Sequence, residues 1–342
     1  MKFLKLDGSF GEGGGQIFRT AVTLSCIMKQ PIIIENIRKN RKNPGLKSQH
    51  LTTLNILKKI CNAEFDKIKI GDTSLKFIPG KVQSFNLTEN VGTAGSISLI
   101  FQVLIPLIAI CKKKLKLSII GGTDVLWSPS IDYTQIILRE AYSRMGINFS
   151  INIIKRGFYP KGGGIVELKV FPSEKINSII LKKRKGKNAE MKCIFSKLPF
   201  KLISNQINLI EKKLIENGFK IEIKVKEETA LDSGSSLLIS SIDEDSIMGI
   251  DSIYNIKTNQ FDVNLNQFID SSYSVDGHLA DMVVLPASLA HGITIFQVSK
   301  ISKHLETNLF VASKITGCKY GIGKLRDGYE IRIEGISYSN IK

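Results

Sequence analysis

The sequence has 342 residues, more than one ordinary domain needs, and predicts two domains or one large domain with an insertion. Hydrophobic residues make up 43%, which excludes a chain disordered throughout. Lys and Arg number 48 against 31 Asp and Glu, and the resulting charge of +17 favours anionic partners such as nucleic acid, nucleotides or acidic membranes.

The N-terminal decapeptide lacks an apolar core, which argues against a signal peptide. "DGSFGEGGGQIFRT" (Asp7–Thr20) follows it: a glycine-rich turn that opens into a helix-like run. A helix starting near Gly15 would aim free N–H groups at that corner, which suits phosphate. Glu12 lies in the turn and Arg19 one turn into the helix. A carboxylate beside a phosphate cradle suits a divalent cation, and Arg can fork onto phosphate oxygens. The spacing fits neither GxGxxG nor GxxxxGK[ST], and a purely structural turn is an equal reading of this stretch alone. Pro31–Ile37 is β-branched and reads as a strand. Ile37–His50 clusters Arg38, Lys39, Arg41, Lys42 and Lys47, with Gln49 and His50 just beyond; it suits a phosphate-rich ligand, or is simply a solvated loop. Gly45–Ala63 has helical spacing.

"GTAGS" (Gly92–Ser96) opens into Ile97–Cys111, an apolar run holding Ser98, Gln102 and Pro106. It is short for a bilayer span and predicts a buried helix. Lys114–Ile120 and Ile147–Ile154 read as strands. Between them "GGTDVLWSPSIDY" (Gly121–Tyr133) carries the only tryptophan, Trp127, with Pro129 and Tyr133, flat surfaces for a base or for core packing. Ser130–Gly146 predicts a helix capped by Ser130 and ended by Gly146. From Ser178 to Ser272 the texture turns polar and loses the glycine corners. A helix over 205–218 and a strand over 220–226 suggest a small inserted α+β module. The apolar pattern resumes at Gly277–Ile293, with His278 and Asp281 near the start of a helix. The five cysteines are scattered, which argues against a disulfide framework and for a reducing, cytoplasmic setting. "SKHLETN" (Ser302–Asn308) contains His304, one of four histidines. On its own it fits a satisfied polar residue as well as a reactive one.

Taken in order, "DGSFGEGGGQIFRTA", "IRKNRKNPGLKSQHLT", "GTAGS", "GGTD…P", "GFYPKGGG", "LAD…LPASLA" and "KHLETN" resemble the RNA 3′-terminal phosphate cyclase family. The likeness spans Met1 to about Pro172 and resumes at about Tyr273. It implies an α/β (α+β) fold: a main domain of three repeated β–α units, each a four-stranded sheet plus two helices, over 1–177 and 273–342, with a small inserted domain over 178–272. It implies an enzyme that uses ATP and a divalent metal, Mg or Mn, on RNA ending in a 3′-phosphate. A histidine is adenylated, AMP passes to the RNA phosphate, and the vicinal 2′-OH closes a 2′,3′-cyclic phosphate. The nucleophile of the family matches His304 and the metal-holding carboxylate Glu12. Arg19, Gln102, Pro129 and Asp281 match nucleotide-pocket positions, while Arg38, Arg41, Gln49 and His50 match the RNA-end pocket. Two positions depart from the family: His278 stands where tyrosine is usual and Met282 where glutamine is usual, which bears on nucleotide preference. Lys303 and the arginines should favour a neutral His304. A homodimer and no membrane association are expected. The alternatives are a non-catalytic, RNA-binding relative in ribosome assembly, which would lack the histidine, and an enolpyruvyl transferase, which shares only architecture.

Overall fold

The computed structural model describes residues 2–338. Its first unit runs β1 (Leu4–Asp7), α1 (Gly15–Met28), β2 (Ile32–Glu35), α2 (Ser48–Cys61), β3 (Glu64–Phe65) and β4 (Leu75–Ile78), with sheet order β1-β2-β4-β3. β1 and β2 are parallel, which requires the crossover that α1 supplies; the other pairs are antiparallel. The second unit runs β5 (Phe85–Asn90), α3 (Ile97–Ile110), β6 (Leu115–Gly121), a helical segment, β7 (Phe149–Lys155) and β8 (Gly164–Val170). Its order, β5-β6-β8-β7, and its strand senses repeat those of the first. Ser130 caps the helical segment as expected, accepting from the Tyr133 N–H. The segment is not a single α-helix: α4 (Ile131–Tyr133) and α5 (Arg139–Arg144) flank a π-helical turn over Thr134–Leu138.

A five-stranded sheet follows, from β9 (Asn188–Ser196), β10 (Lys220–Glu227), β11 (Gly234–Ile242), β12 (Ile247–Asn255) and β13 (Gln260–Phe261) in the order β10-β9-β11-β12-β13. α6 (Phe200–Glu216) lays Ile203, Ile207, Ile210 and Leu214 on this sheet at helical spacing, and α7 (Leu265–Asp270) closes the segment. These residues form an apolar cluster of their own with Met191, Cys193 and Ile239. The last unit holds α8 (Gly277–Leu289), β14 (Ile293–Val298), α9 (Lys303–Thr316), β15 (Lys319–Leu325) and β16 (Gly328–Glu334), ordered β14-β16-β15. Here the expected fourth strand is missing among the described residues. Asn177 and Ile180 make only isolated parallel bridges to His291 and Ile295, because the chain turns away at Lys182, whose N–H goes to the Asp245 carbonyl. The expected boundary at 178 falls inside this bridged segment.

The larger core joins α1, α2, α3, α8 and α9 to their sheets. α3 is buried on almost every side, and only Leu99 and Gln102 stay partly exposed. Both line the cleft described below. Among the described residues, no helix is long and apolar enough to cross a membrane.

Candidate active site

The corner begins with backbone. Gly13 takes φ +60°, which side chains rarely adopt, and a Cβ there would meet Asn40 Nδ2 at 2.6 Å. α1 then starts behind Gly14 with no side chain capping it, whereas Ser96, Asp276 and Ser302 cap α3, α8 and α9. The first N–H groups of α1 are therefore open to an anion. Gly15 is needed for close approach, since a Cβ there would sit 2.8 Å from His50 Nε2.

α1 and α9 lie side by side and run the same way, joined by two rungs one turn apart. Gln16 meets His304: its Nε2 donates to the His304 carbonyl (3.2 Å) and its Oε1 contacts Nδ1. One turn on, Thr20 Oγ1 donates to Asn308 Oδ1 (2.7 Å). Asn308 Nδ2 in turn donates to the Asp281 carbonyl (2.8 Å), which ties in α8. On the other edge of the His304 ring, Nε2 faces the Glu12 carboxylate, whose second oxygen takes Arg41. Burial pushes the His304 imidazole down to about 4, and the charges of Arg19, Arg41 and His278 press the same way. A value of about 4 leaves His304 neutral at pH 7. Lys303, expected to share in this effect, is exposed and is not one of the charges that lower it.

Burial holds the Asp281 carboxyl well above the usual range and brings Arg19 down to about 10, so Arg19 remains a cation. His50 is neutral too, its pKa driven well below 6.5 by burial and by Arg19, Arg38 and Lys47. Its Nδ1 accepts from the Lys47 N–H (3.0 Å), which leaves Nε2 as the donor, buried and without a partner. Glu12 Oε2 is likewise buried; it lies against His304 Nε2 and has no other partner among the described residues. Among the described residues, no three His, Cys, Asp or Glu converge to hold a metal unaided. A single carboxylate beside a phosphate corner does fit a Mg²⁺-type ion, which takes one or two carboxylates and completes its shell with phosphates and water.

His304 and all six residues expected at the nucleotide (Arg19, Gln102, Pro129, His278, Asp281 and Met282) line one cleft of about 120 Å³. A second cavity of about 320 Å³ shares His278, Asp281 and His304 as its wall and extends toward β12 and α7. Arg19 Nε donates to Gln102 Oε1 (3.2 Å). Of the residues expected at the RNA end, Arg41 and His50 reach the corner. Arg38 instead staples its own loop, donating to the Asn43 (2.9 Å) and Gly45 (3.1 Å) carbonyls, and Gln49 Oε1 accepts from the Ser96 N–H (3.1 Å) before α3. Tyr133 offers no stacking face: it is fully buried and its hydroxyl donates to Asp276 (2.7 Å). Trp127 is 95% exposed at the mouth of the cleft. Gln16, Thr20 and Asn308 were not expected. For Gln16 and Thr20 the signal was present in α1, where Gln16, Arg19, Thr20 and Thr23 form a polar stripe at helical spacing in an apolar helix.

Fold and site together define an α/β protein with a neutral histidine set into a basic, anion-receptive corner. The family model described as RNA 3′-terminal phosphate cyclase matches residues 10–322. Among similar proteins, the RNA 3′-terminal phosphate cyclase of Methanococcoides burtonii is 36% identical over 333 residues, covering 97% of this chain and 100% of that protein. Those of Archaeoglobus fulgidus (36%, covering 92% and 96%) and Saccharolobus islandicus (37%, covering 94% and 97%) are similarly close. The chain belongs to the RNA 3′-terminal phosphate cyclase family of enzymes.

Proposed function

We propose that the chain closes RNA 3′-terminal phosphates to 2′,3′-cyclic phosphodiesters with ATP, through a covalent adenylate on His304. The observation that carries this is His304 itself: a neutral imidazole at the start of α9, beside the uncapped end of α1, with Arg19 and Arg41 close by. A neutral ring has the lone pair needed to attack the α-phosphorus of ATP and displace pyrophosphate. AMP is then handed to an oxygen of the RNA 3′-phosphate. The vicinal 2′-OH attacks that phosphate, AMP leaves, and the cyclic ester remains.

Charge accumulates on phosphoryl oxygens in each displacement. Arg19, Arg41, the His50 Nε2–H and the open N–H groups of α1 are fixed donors at that place. Pro129 and the His278 ring supply flat walls suited to adenine. A divalent cation, when bound, supplies further neutralisation at the phosphates, and Glu12 is the residue that would hold it. We further infer a main domain over 1–177 and 273–342 with an inserted module over 178–272, supported by the separate apolar cluster of that segment. The free thiols of all five cysteines support a cytoplasmic setting.

The test is labelling with α-³²P-ATP in the presence of Mg²⁺ or Mn²⁺. The reading predicts acid-labile, alkali-stable label on the protein, its loss in His304→Ala, and cyclisation of a 3′-phosphorylated oligonucleotide. RNA binding without label or cyclisation would show a non-catalytic relative instead.

A further inference from the structure

We propose that Trp127 is a base-stacking residue for the RNA: a base near the 3′ end lies against its indole when the terminal phosphate enters the cleft. The proposal rests on the reading of the chain as an RNA 3′-phosphate cyclase. Trp127 is the only tryptophan, lines the mouth of the nucleotide cleft, and leaves its ring 95% exposed to water. Its backbone takes φ +62°, a left-handed conformation that a bulky side chain rarely adopts. An apolar ring held in water at a disfavoured backbone angle stabilises the fold by neither burial nor conformation, which points to a ligand.

The surrounding turns hold that angle. Ser128 Oγ donates to the Val125 carbonyl (3.0 Å), the Ser130 N–H to Asp251 Oδ2 (2.6 Å), and the Ile131 N–H to the Thr123 carbonyl (3.0 Å). Backbone bridges join Ser96 to Gly122 and Asp124 to Phe158, so the turns "GTAGS", "GGTD" and "GFYPKGGG" meet at this rim. Gly162 of the third takes φ +67° and leaves no room for a side chain, since a Cβ would stand 2.7 Å from Ala94 Cα. The same turn carries Tyr159, 72% exposed, and Leu126 beside Trp127 is exposed too. The rim is a tied scaffold that keeps apolar side chains in water.

The occupant follows from the cleft. Adenine has two faces, and Pro129 and His278 supply a wall for each, which leaves the indole over. RNA has to bring its 3′-phosphate from outside to AMP held on His304, and so its last nucleotides cross the mouth. The phosphate corner of Arg19, Arg41 and α1 offers their bases no flat surface, whereas an indole takes any of the four bases on its π-face. Stacking there does not read sequence; it holds the end of the strand beside the adenylate.

Because the chain has one tryptophan, its fluorescence reports this ring alone. Titration with a 3′-phosphorylated oligoribonucleotide should quench the emission saturably. Anisotropy of a 5′-labelled strand should show roughly tenfold weaker binding to Trp127→Ala, with most of the affinity kept in Trp127→Phe. Removing the base from one of the last three nucleotides should cost the wild type that same factor and cost Trp127→Ala nothing further, a coupling that a merely structural tryptophan would not show. Emission indifferent to saturating RNA, unaltered RNA affinity in Trp127→Ala, or no coupled position would each overturn the proposal. So would emission that shifts with protein concentration alone, which would assign the ring to a second copy, or a Trp127→Ala variant weakened for ATP and not for RNA, which would assign it to adenine. Wild-type protein that cyclises while Trp127→Ala binds RNA as tightly sinks this proposal alone. Wild-type protein that stacks RNA on Trp127 but neither labels nor cyclises sinks the cyclase reading and leaves the stacking site standing.

Discussion

His50 is 2% exposed and sits against Gly15 and the Phe18 ring, 4.9 Å between centroids. Burial first, and then Arg19, Arg38 and Lys47, keep it unprotonated in the fold. Unfolded, it takes up a proton as pH falls through about 6.5. The stability it contributes is therefore complete above that pH and lost below it, by about 1.4 kcal/mol per pH unit. His304, at about 4, acts with the same sign. Urea denaturation between pH 7 and pH 5 should show a shallower acid loss in His50→Gln than in wild type, and equal slopes would contradict the account. Arg41 is the ion-pair partner of Glu12, so Arg41→Ala removes a phosphate donor and uncovers a carboxylate at the ring. Cyclisation should fall roughly 100-fold, read as initial rate on a 3′-phosphorylated oligonucleotide. His304, Glu12 and Arg41 were legible because each stands in a short motif. The partnership of Gln16 with His304 was not, because 288 positions separate them and nothing local records the contact.

The two rungs between α1 and α9 are the element that sets the site. Asn308→Ala leaves the Thr20 hydroxyl and the Asp281 carbonyl without their partner in a buried setting. The expected cost is about 1–3 kcal/mol in urea denaturation, with slower adenylation as the helices lose register. A change within about 0.5 kcal/mol, the range of ordinary surface substitutions, would refute this role. Helices and strands with strong periodicity were readable, since alternation and helical spacing are local properties. α6 starts at Phe200, five residues before the expected Asn205, because Ile203 extends the apolar stripe backward one turn from Ile207. The π-helical turn at Thr134–Leu138 was invisible. It packs where Gly249 of β12 presses close, and a Cβ on that glycine would meet Ile137 Cγ1 at 2.7 Å. That constraint comes from a strand far along the chain.

Across the whole molecule, the five-stranded segment is joined to the second unit by a buried charge cluster. Arg156 is fully buried and pairs with Asp132 (2.8 Å), Asp124 (3.2 Å) and Glu228 (2.8 Å), while Lys192 reaches Asp132 (2.6 Å). Arg156→Met strands two buried carboxylates and should cost about 3–5 kcal/mol by equilibrium unfolding. A near-neutral result would show that the junction is held by its apolar contacts instead. The repeat in the first two units was implied by the family resemblance, and the change of texture over 178–272 coincides with the five-stranded segment. The charge cluster was not legible, because its members come from four separate stretches of chain. The central claim is that His304 carries the adenylate, and mass-spectrometric mapping of protein incubated with ATP and Mg²⁺ at neutral pH tests it most directly. The account predicts an added AMP on the peptide containing His304 and nowhere else. AMP on a lysine, or on His50, His278 or His291 with His304 unmodified, would contradict it.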